Sequence, residues 1–169
     1  ILLFIIKEMD NFIYYRKVNN DSLFKYLEKS ELKLHNLQNY LPIYNNFFNL
    51  NLNNFNNINL NQKYSIVEII EINNRNNVLG LLKNNLNNKN EKKPIFIKFS
   101  PLLDPLKYLT GKYDEDNDIK CNLPSFDTNH PCLHKISDKN NSAYVDGFFT
   151  YLSSILKNNF NFENGVDYY

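Results

Sequence analysis

The sequence predicts an α+β protein: an antiparallel β-meander (about residues 64–100) packed against a C-terminal amphipathic helix (about 142–157), with an N-terminal helical arm. Three observations lead to this prediction. Residues 64–72 are rich in β-branched side chains, which favour strands. Two further apolar runs follow, each after a polar turn, as in a meander. The segment from residue 142 then carries apolar residues three and four positions apart, the spacing of an amphipathic helix.

The N-terminal arm is predicted to span residues 1–62. The pair Asp21-Ser22 provides capping side chains before a run of apolar residues at roughly helical spacing, which is broken or bent near Ser30 and ends at Pro42. Residues 45–62 mix apolar side chains with asparagine and follow neither helical nor strand spacing. An ordered loop, held by its aromatic side chains, is therefore predicted there.

The two ends of the chain lead to a separate expectation. Residues 1–8 precede Met9, the only methionine, so Met9 is predicted to be the true start and residues 1–8 to be read-through of upstream sequence. The alternative is a fragment of a longer chain. Residues 165–169 resemble a strand that has been cut short, so the α+β domain, residues 63–169, is predicted to be truncated at its C-terminus.

The meander is predicted from its turns as well as from its strands. Residues 73–77 favour a turn because asparagine tolerates positive φ, and residues 78–82 then form the second strand. A polar loop over residues 84–93 leads to a third strand at 95–99. Three strands joined in this way predict an antiparallel arrangement.

Beyond the meander, residues 105–110 are predicted to form a short helix that Gly111 ends, and residues 112–141 to form a polar insertion. Either Asn141 or Ser142 can cap the final helix. The predicted buried stripe of that helix consists of Val145, Phe148, Phe149, Leu152, Ile155 and Leu156.

Asparagine dominates the composition, with 33 of 169 residues. No fold needs that many, so we attribute the excess to the codon usage of an AT-rich genome, which also favours Ile, Lys, Tyr and Phe. On this interpretation asparagine marks positions that the fold tolerates. The asparagine-poor windows 94–116 and 142–157 are then where structure and function are expected to lie.

The bulk properties argue against several functions. The net charge is +1, so no overall field favours nucleic acid or an anionic membrane surface. The apolar start, residues 1–6, is too short to span a bilayer. Two cysteines do not make a disulfide framework, so a reducing compartment is predicted.

Lys98 is the main candidate for chemistry. It shares one face of the predicted strand 95–99 with Phe96, and an ammonium group in an apolar strand must be solvated or paired. Protein kinases use a third-strand lysine to hold the α/β-phosphates of ATP and pair it with an acid on the next helix. Asp146, early in the final helix, is the candidate acid. The alternatives are a lysine on a solvent-facing strand and an acid that interacts with the helix dipole.

The sequence also departs from a kinase. Kinases place G-x-G-x-x-G in the first hairpin, where glycine lets backbone N–H groups approach the phosphates. Residues 73–77 contain no glycine, and Gly80 is the first one in the strand region. Neither H-R-D nor D-F-G occurs up to Tyr169, so a catalytic loop is expected only beyond that residue.

The insertion contains a second candidate site, a C-x8-H-x-C-x-H group. Its members are Cys121, His130, Cys132 and His134. Thiolate and imidazole suit zinc, but structural zinc sites usually show C-x2–4-C spacing, and ordinary loop residues are the alternative. The acidic residues nearby are Asp114, Glu115, Asp116 and Asp118. They lack the glycine of a calcium loop, so a solvated acidic loop is predicted.

Three segments resemble a protein family shared among nucleocytoplasmic large DNA viruses, the giant viruses. They are residues 41–44 (LPIY), 97–108 (IKFSPLLDPLKY) and 141–154 (NSAYVDGFFTYLSS). This resemblance implies a viral protein located in the virion or in the viral factory of the host cytoplasm. It fits the AT-rich composition.

Two functions from different classes follow. By analogy with protein kinases, the chain is the N-terminal part of a protein with a kinase-like small lobe, in which Lys98 orients ATP, Asp146 positions Lys98, Mg is the metal and a protein is the substrate. The alternative is a non-enzymatic viral structural or protein-interaction domain with virion proteins as partners, in which Lys98 is exposed without a partner. A zinc-stapled binding module is a third hypothesis.

Overall fold

The structure, a computed structural model, describes residues 13–113, 117–126, 129 and 131–169. The expectations about residues 1–8 and Met9 lie outside the described residues. The strands are β1 (Tyr15–Lys17), β2 (Ile58–Leu60), β3 (Tyr64–Ile72), β4 (Asn77–Asn84) and β5 (Asn90–Phe96). The α-helices are α1 (Asp21–Lys29), α2 (Pro105–Leu109), α3 (Asn117–Cys121), α4 (His134–Ser137) and α5 (Ser142–Phe160), and a 3₁₀ helix covers Pro42–Asn46.

Two antiparallel sheets organise these elements. β1 pairs with β2, while β3, β4 and β5 form a meander in that order. The predicted α+β class and the antiparallel meander are therefore confirmed. The β1–β2 pair was not predicted, because strands of three residues are too short to show a period of two.

Two β-bulges determine which side chains of β3 face the core. The register against β4 shifts twice and leaves Val67 and Ile70 as extra residues, both exposed. Each extra residue moves the following side chains to the opposite face. The residues of β3 that pack in the core are consequently Tyr64, Ile66, Ile69 and Ile72, which do not alternate strictly.

The apolar side chains form two clusters. The helix cluster joins α5 to the 3₁₀ helix and β2, and its buried members are Ile43, Tyr44, Ile58, Leu60, Tyr144, Phe148, Tyr151 and Ile155. The meander cluster consists of the buried residues Leu32, Tyr64, Ile69, Val78, Leu82 and Ile95. The meander was expected to pack against α5. Instead, α5 buries one face against the 3₁₀ helix and β2, and Leu32 and its neighbours cover the meander. The predicted arm thus contributes side chains to both clusters.

α5 starts where the sequence predicts but buries a different stripe. Asn141 is its N-cap, and the helix continues to Phe160. The buried residues of the helix are Tyr144, Phe148, Tyr151, Ser153, Ser154 and Ile155. Val145 and Phe149, both predicted to be buried, are 45% and 68% exposed. The tyrosine stripe can be buried because each hydroxyl reaches an acceptor on another segment.

The first helix differs from the prediction at its start. Asn20, rather than the pair Asp21-Ser22, is the N-cap residue. At its end the helix is broken near Ser30, which is one of the two predicted alternatives. It ends at Lys29, because the Ser30 backbone turns to an extended conformation, and does not continue toward Pro42. Leu32 is no longer helical but is buried in the meander cluster.

Three later boundaries also compare directly with the prediction. β5 covers Asn90–Phe96, so most of the predicted third strand, 95–99, lies beyond it, and the connecting loop is shorter than expected. α2 ends close to its predicted end, and Gly111 has the positive φ (67°) that favours glycine there. Residues 165–169 form no strand in the structure.

Replacement by alanine is expected to have opposite effects on stability at two glycines. A Cβ at Gly147, inside α5, meets nothing within 4 Å, whereas a Cβ at Gly165 lies 2.5 Å from the carbonyl oxygen of Ser153. We expect Gly147→Ala to raise the free energy of unfolding by about 1 kcal/mol, because alanine has the higher helix propensity. We expect Gly165→Ala to lower it by about 1–3 kcal/mol through overpacking. Urea denaturation followed by circular dichroism measures both, and a shift in the same direction for the two variants contradicts this packing.

Candidate functional site

Lys98 and Asp146 form the ion pair that the kinase analogy predicts. Nζ of Lys98 donates a hydrogen bond to Oδ2 of Asp146, although the two residues are 48 positions apart in the chain. The lysine side chain is 58% exposed and the aspartate side chain 46% exposed. Because water screens such a pair, it contributes only about 0–1 kcal/mol to stability. The fold therefore does not depend on this pair, and its role stays a prediction.

Lys98 is positioned by the turn between β3 and β4. Asn76 accepts a backbone hydrogen bond from the N–H of Ile97, and its side-chain amide donates to the Ile97 carbonyl. The guanidinium of Arg75 lies 4.7 Å from the centroid of the Phe99 ring. These contacts connect the residues on both sides of Lys98 to the turn, although β5 ends two residues earlier.

The same turn does not fit the phosphates of ATP as a glycine-rich loop does. The N–H groups of Asn73 and Asn74 donate to the carbonyl oxygen of Asn77. The N–H groups of Asn76 and Asn77 donate to the side-chain oxygen of Asn74. Four backbone donors of the turn therefore already have partners within it. A phosphate would have to displace these hydrogen bonds, so only the Lys98–Asp146 pair matches the kinase pattern.

The candidate zinc group is only partly described. Cys121 is exposed at the end of α3, Cys132 is partly buried before α4, and His134 is exposed at the start of α4. His130 lies outside the described residues. Within the described ranges, no group of three or more His, Cys, Asp or Glu side chains could hold a metal ion. The acidic loop cannot be placed either, because Asp114, Glu115 and Asp116, with the side chain of Asp118, lie outside the described part.

Cys132 is expected to react more slowly with thiol reagents than Cys121. Burial raises the pKa of the Cys132 thiol, and the thiolate is the reactive form. A smaller fraction of Cys132 is therefore in the reactive thiolate form at neutral pH, and its labelling rate should rise only at higher pH. Single-cysteine variants, Cys121→Ser and Cys132→Ser, labelled with Ellman's reagent between pH 7 and 10 measure the two rates separately. Equal rates at pH 7 contradict the burial of Cys132.

The structure contains an apolar groove beside α2 that the sequence did not predict. The groove, called the α2 groove below, has a volume of about 510 Å³ and is lined by residues that include Leu102, Leu103, Tyr108, Leu109, Leu123 and Ile136. Leu106 and Leu109 are 74% and 80% exposed. Sequence analysis missed it because the lining comes from the predicted insertion as well as from α2.

A larger cavity lies between α1, the β1–β2 sheet and the start of β3. This central cavity has a volume of about 610 Å³, and its lining includes Arg16, Leu27, Tyr44, Gln62, Lys83 and Tyr168. Burial raises the pKa of the Tyr44 hydroxyl well above its ordinary value, and that of Tyr168 is raised for the same reason. No motif could reveal this cavity, because its lining comes from five separate stretches of the chain.

Comparisons with protein-family models, with curated proteins and with solved structures find no match for this chain. The helices of the described part are all too short or too polar to cross a membrane.

Proposed function

We propose that the chain is a non-enzymatic protein-interaction domain whose α2 groove binds an apolar segment of a partner protein. The observation that carries this proposal is the exposure of Leu109, which lines the groove, together with that of Leu106 on the same helix. Exposed apolar patches of sufficient size mark interaction sites. A partner side chain in the groove would cover apolar surface that water otherwise contacts.

The groove also favours a particular kind of partner segment. Its described lining has one charged residue, Lys120, and otherwise consists of apolar and small polar side chains. A volume of about 510 Å³ accommodates one or two large side chains rather than an extended charged surface. The partner segment is therefore expected to insert an aromatic or aliphatic anchor, as the central residues of protein interfaces do.

A random-peptide display library tests this proposal. Peptides selected on the purified protein are expected to carry aromatic or aliphatic anchors. Leu109→Asp should weaken their binding by about tenfold or more, because a charge in an apolar pocket must be desolvated. The matched control is Phe149→Asp, which changes another exposed apolar side chain, on α5 (68% exposed, against 80% for Leu109). The proposal fails when no peptide is enriched, or when Leu109→Asp and Phe149→Asp have the same effect.

The Lys98–Asp146 pair favours a second candidate, a kinase-like small lobe. In this candidate Lys98 binds a phosphate of ATP and Asp146 orients the lysine. The candidate is supported by the ion pair, which the analogy predicted and which is formed. The turn at residues 73–77 weighs against it, because four of its backbone N–H groups already have hydrogen-bond partners. A viral origin would fit either candidate and stays a prediction.

Calorimetric titration with MgATP tests the second candidate. MgATP binding is required. Lys98→Ala should weaken it by about tenfold or more, because the variant removes the cation that contacts the phosphate. Asp146→Asn should also weaken it, because the lysine loses the carboxylate that orients it. Lys92→Ala is the matched control because Lys92 is an exposed lysine of β5. Absence of binding, or an equal effect of Lys92→Ala, rejects this candidate.

A further inference from the structure

We infer that the central cavity is a binding site for a small anionic molecule that has an aromatic or apolar body and an N–H or O–H donor. This site is separate from the α2 groove and from the Lys98–Asp146 pair. Three features of its lining support the inference: its size and apolar walls, an unpartnered buried acceptor, and an excess of positive charge.

The size and walls of the cavity match those of small-molecule sites. Its volume of about 610 Å³ lies within the range of about 300–1,000 Å³ that is common for such sites. Leu23, Leu27, Ile58 and Leu60 contribute apolar surface. Ile58 and Leu60 belong to the helix cluster, and Leu27 packs against the meander cluster. The cavity therefore lies where the two clusters meet, and a bound molecule would contact both.

Gln62 supplies an acceptor that has no partner within the protein. The residue is only 6% exposed, and its Nε2 donates to Oδ1 of Asn59 at 2.8 Å. Its Oε1 is the one buried side-chain nitrogen or oxygen in the described ranges without a hydrogen-bond partner. Leaving such a group unsatisfied costs about 1–3 kcal/mol. Gln62 lines the cavity, so a rotation of its side-chain amide would present this oxygen to an N–H or O–H group of a ligand.

The charges around the cavity favour an anion. Arg16 and Lys17 on β1 and Lys83 on β4 all line it, and all three are exposed to solvent. None of the lining residues that the structure describes has an acidic side chain. An anionic group near these cations would gain charge-assisted hydrogen bonds, while the apolar body of the ligand lies deeper.

The experiment uses 1-anilinonaphthalene-8-sulfonate, which has an aromatic body, an aniline N–H and a sulfonate, and which fluoresces when it leaves water. Saturable binding of one molecule per chain is expected. The double variant Arg16→Ala/Lys83→Ala should weaken binding by about tenfold or more, because it removes two of the three cations. The double variant Lys89→Ala/Lys92→Ala removes two exposed lysines from outside the lining and is the matched control.

Gln62→Met tests the acceptor itself. Methionine is similar in size but has no amide oxygen, so binding should weaken by about fivefold, as expected for one hydrogen bond. The unliganded variant should be slightly less stable, because methionine also lacks the Nε2 that donates to Asn59. Unchanged binding by Gln62→Met overturns the inference. Absence of saturable binding also overturns it. So does binding that Leu109→Asp abolishes and Arg16→Ala/Lys83→Ala does not, since the dye would then occupy the α2 groove.

Discussion

Replacing Asn141 with alanine is expected to lower the free energy of unfolding by about 3–5 kcal/mol, because the change removes a helix cap and leaves two carbonyl groups unpaired. Asn141 is fully buried. Its Oδ1 accepts from the N–H of Ala143, and its Nδ2 donates to the carbonyl oxygens of Leu102 and Lys135, each at 2.8 Å. One side chain therefore joins the start of α5 to the segment after β5 and to α4.

Asn141→Asp separates the cap from the two other hydrogen bonds. Aspartate keeps an oxygen for the N–H of Ala143 but places a carboxylate against the two carbonyl groups. We therefore expect Asn141→Asp to be at least as destabilised as Asn141→Ala at pH 7, and to recover part of its stability at low pH, where the protonated acid can donate. Urea denaturation at pH 4 and pH 7 measures both effects. The control is Asn140→Ala, which changes an exposed neighbour and should alter stability by less than about 0.5 kcal/mol. A loss below about 1 kcal/mol in Asn141→Ala contradicts the role of the buried amide.

Alkaline unfolding is the second large effect that we expect. The side chains of Tyr44, Tyr144 and Tyr151 are buried. Burial is the main cause that raises the pKa of each hydroxyl above the usual value of 10.0. The unfolded chain therefore loses these protons near pH 10, while the folded chain retains them. The stabilisation from the three buried hydroxyls is thus fully present below pH 10 and is lost as the pH rises further. Each of these tyrosines makes the free energy of unfolding fall by about 1.4 kcal/mol per pH unit, and the three together by about 4 kcal/mol per unit.

The ionisation of the buried tyrosines, followed by absorbance at 295 nm, and the loss of far-ultraviolet circular dichroism should occur in the same cooperative transition. Since a typical domain has about 5–15 kcal/mol of stability, the transition is expected one to several pH units above 10. Tyr151→Phe should reduce the slope of stability against pH, whereas Tyr108→Phe, which changes an exposed tyrosine, should not. Ionisation of all tyrosines without loss of secondary structure contradicts the burial of these hydroxyls.

The asparagines have a structural role that composition alone concealed. In six places within the described residues, an asparagine side-chain oxygen accepts from the backbone N–H two residues further on, the geometry of an Asx turn. Asn141, Asn74 and Asn84 are examples. The interpretation that asparagine marks tolerated positions is therefore wrong for these residues. Codon usage can raise the number of asparagines, but at these positions the side-chain oxygen also accepts a backbone hydrogen bond.

The candidate sites were predictable to different degrees. Lys98 and Asp146 could be predicted as a pair because an isolated charge in an apolar strand and an acid early in the next long helix suggest a known arrangement. The α2 groove and the central cavity could not be predicted, because each combines residues from segments far apart in the sequence. Gln62 in particular gives no signal in a chain rich in amide side chains.

The sequence by itself determined the α+β class, the meander and the start of α5, whose cap it left open between Asn141 and Ser142. These features depend on local preferences: β-branched runs, turn-forming asparagines and capping side chains. The Lys98–Asp146 pair, 48 positions apart in the chain, followed from the kinase analogy instead. Only the tertiary structure decided which face of α5 is buried, that β1 pairs with β2, and that a cavity lies between the two clusters. Two apolar stripes along α5 were available, and the buried one is the stripe whose tyrosine hydroxyls find acceptors on distant segments. Such a choice depends on long-range contacts, which local patterns do not specify.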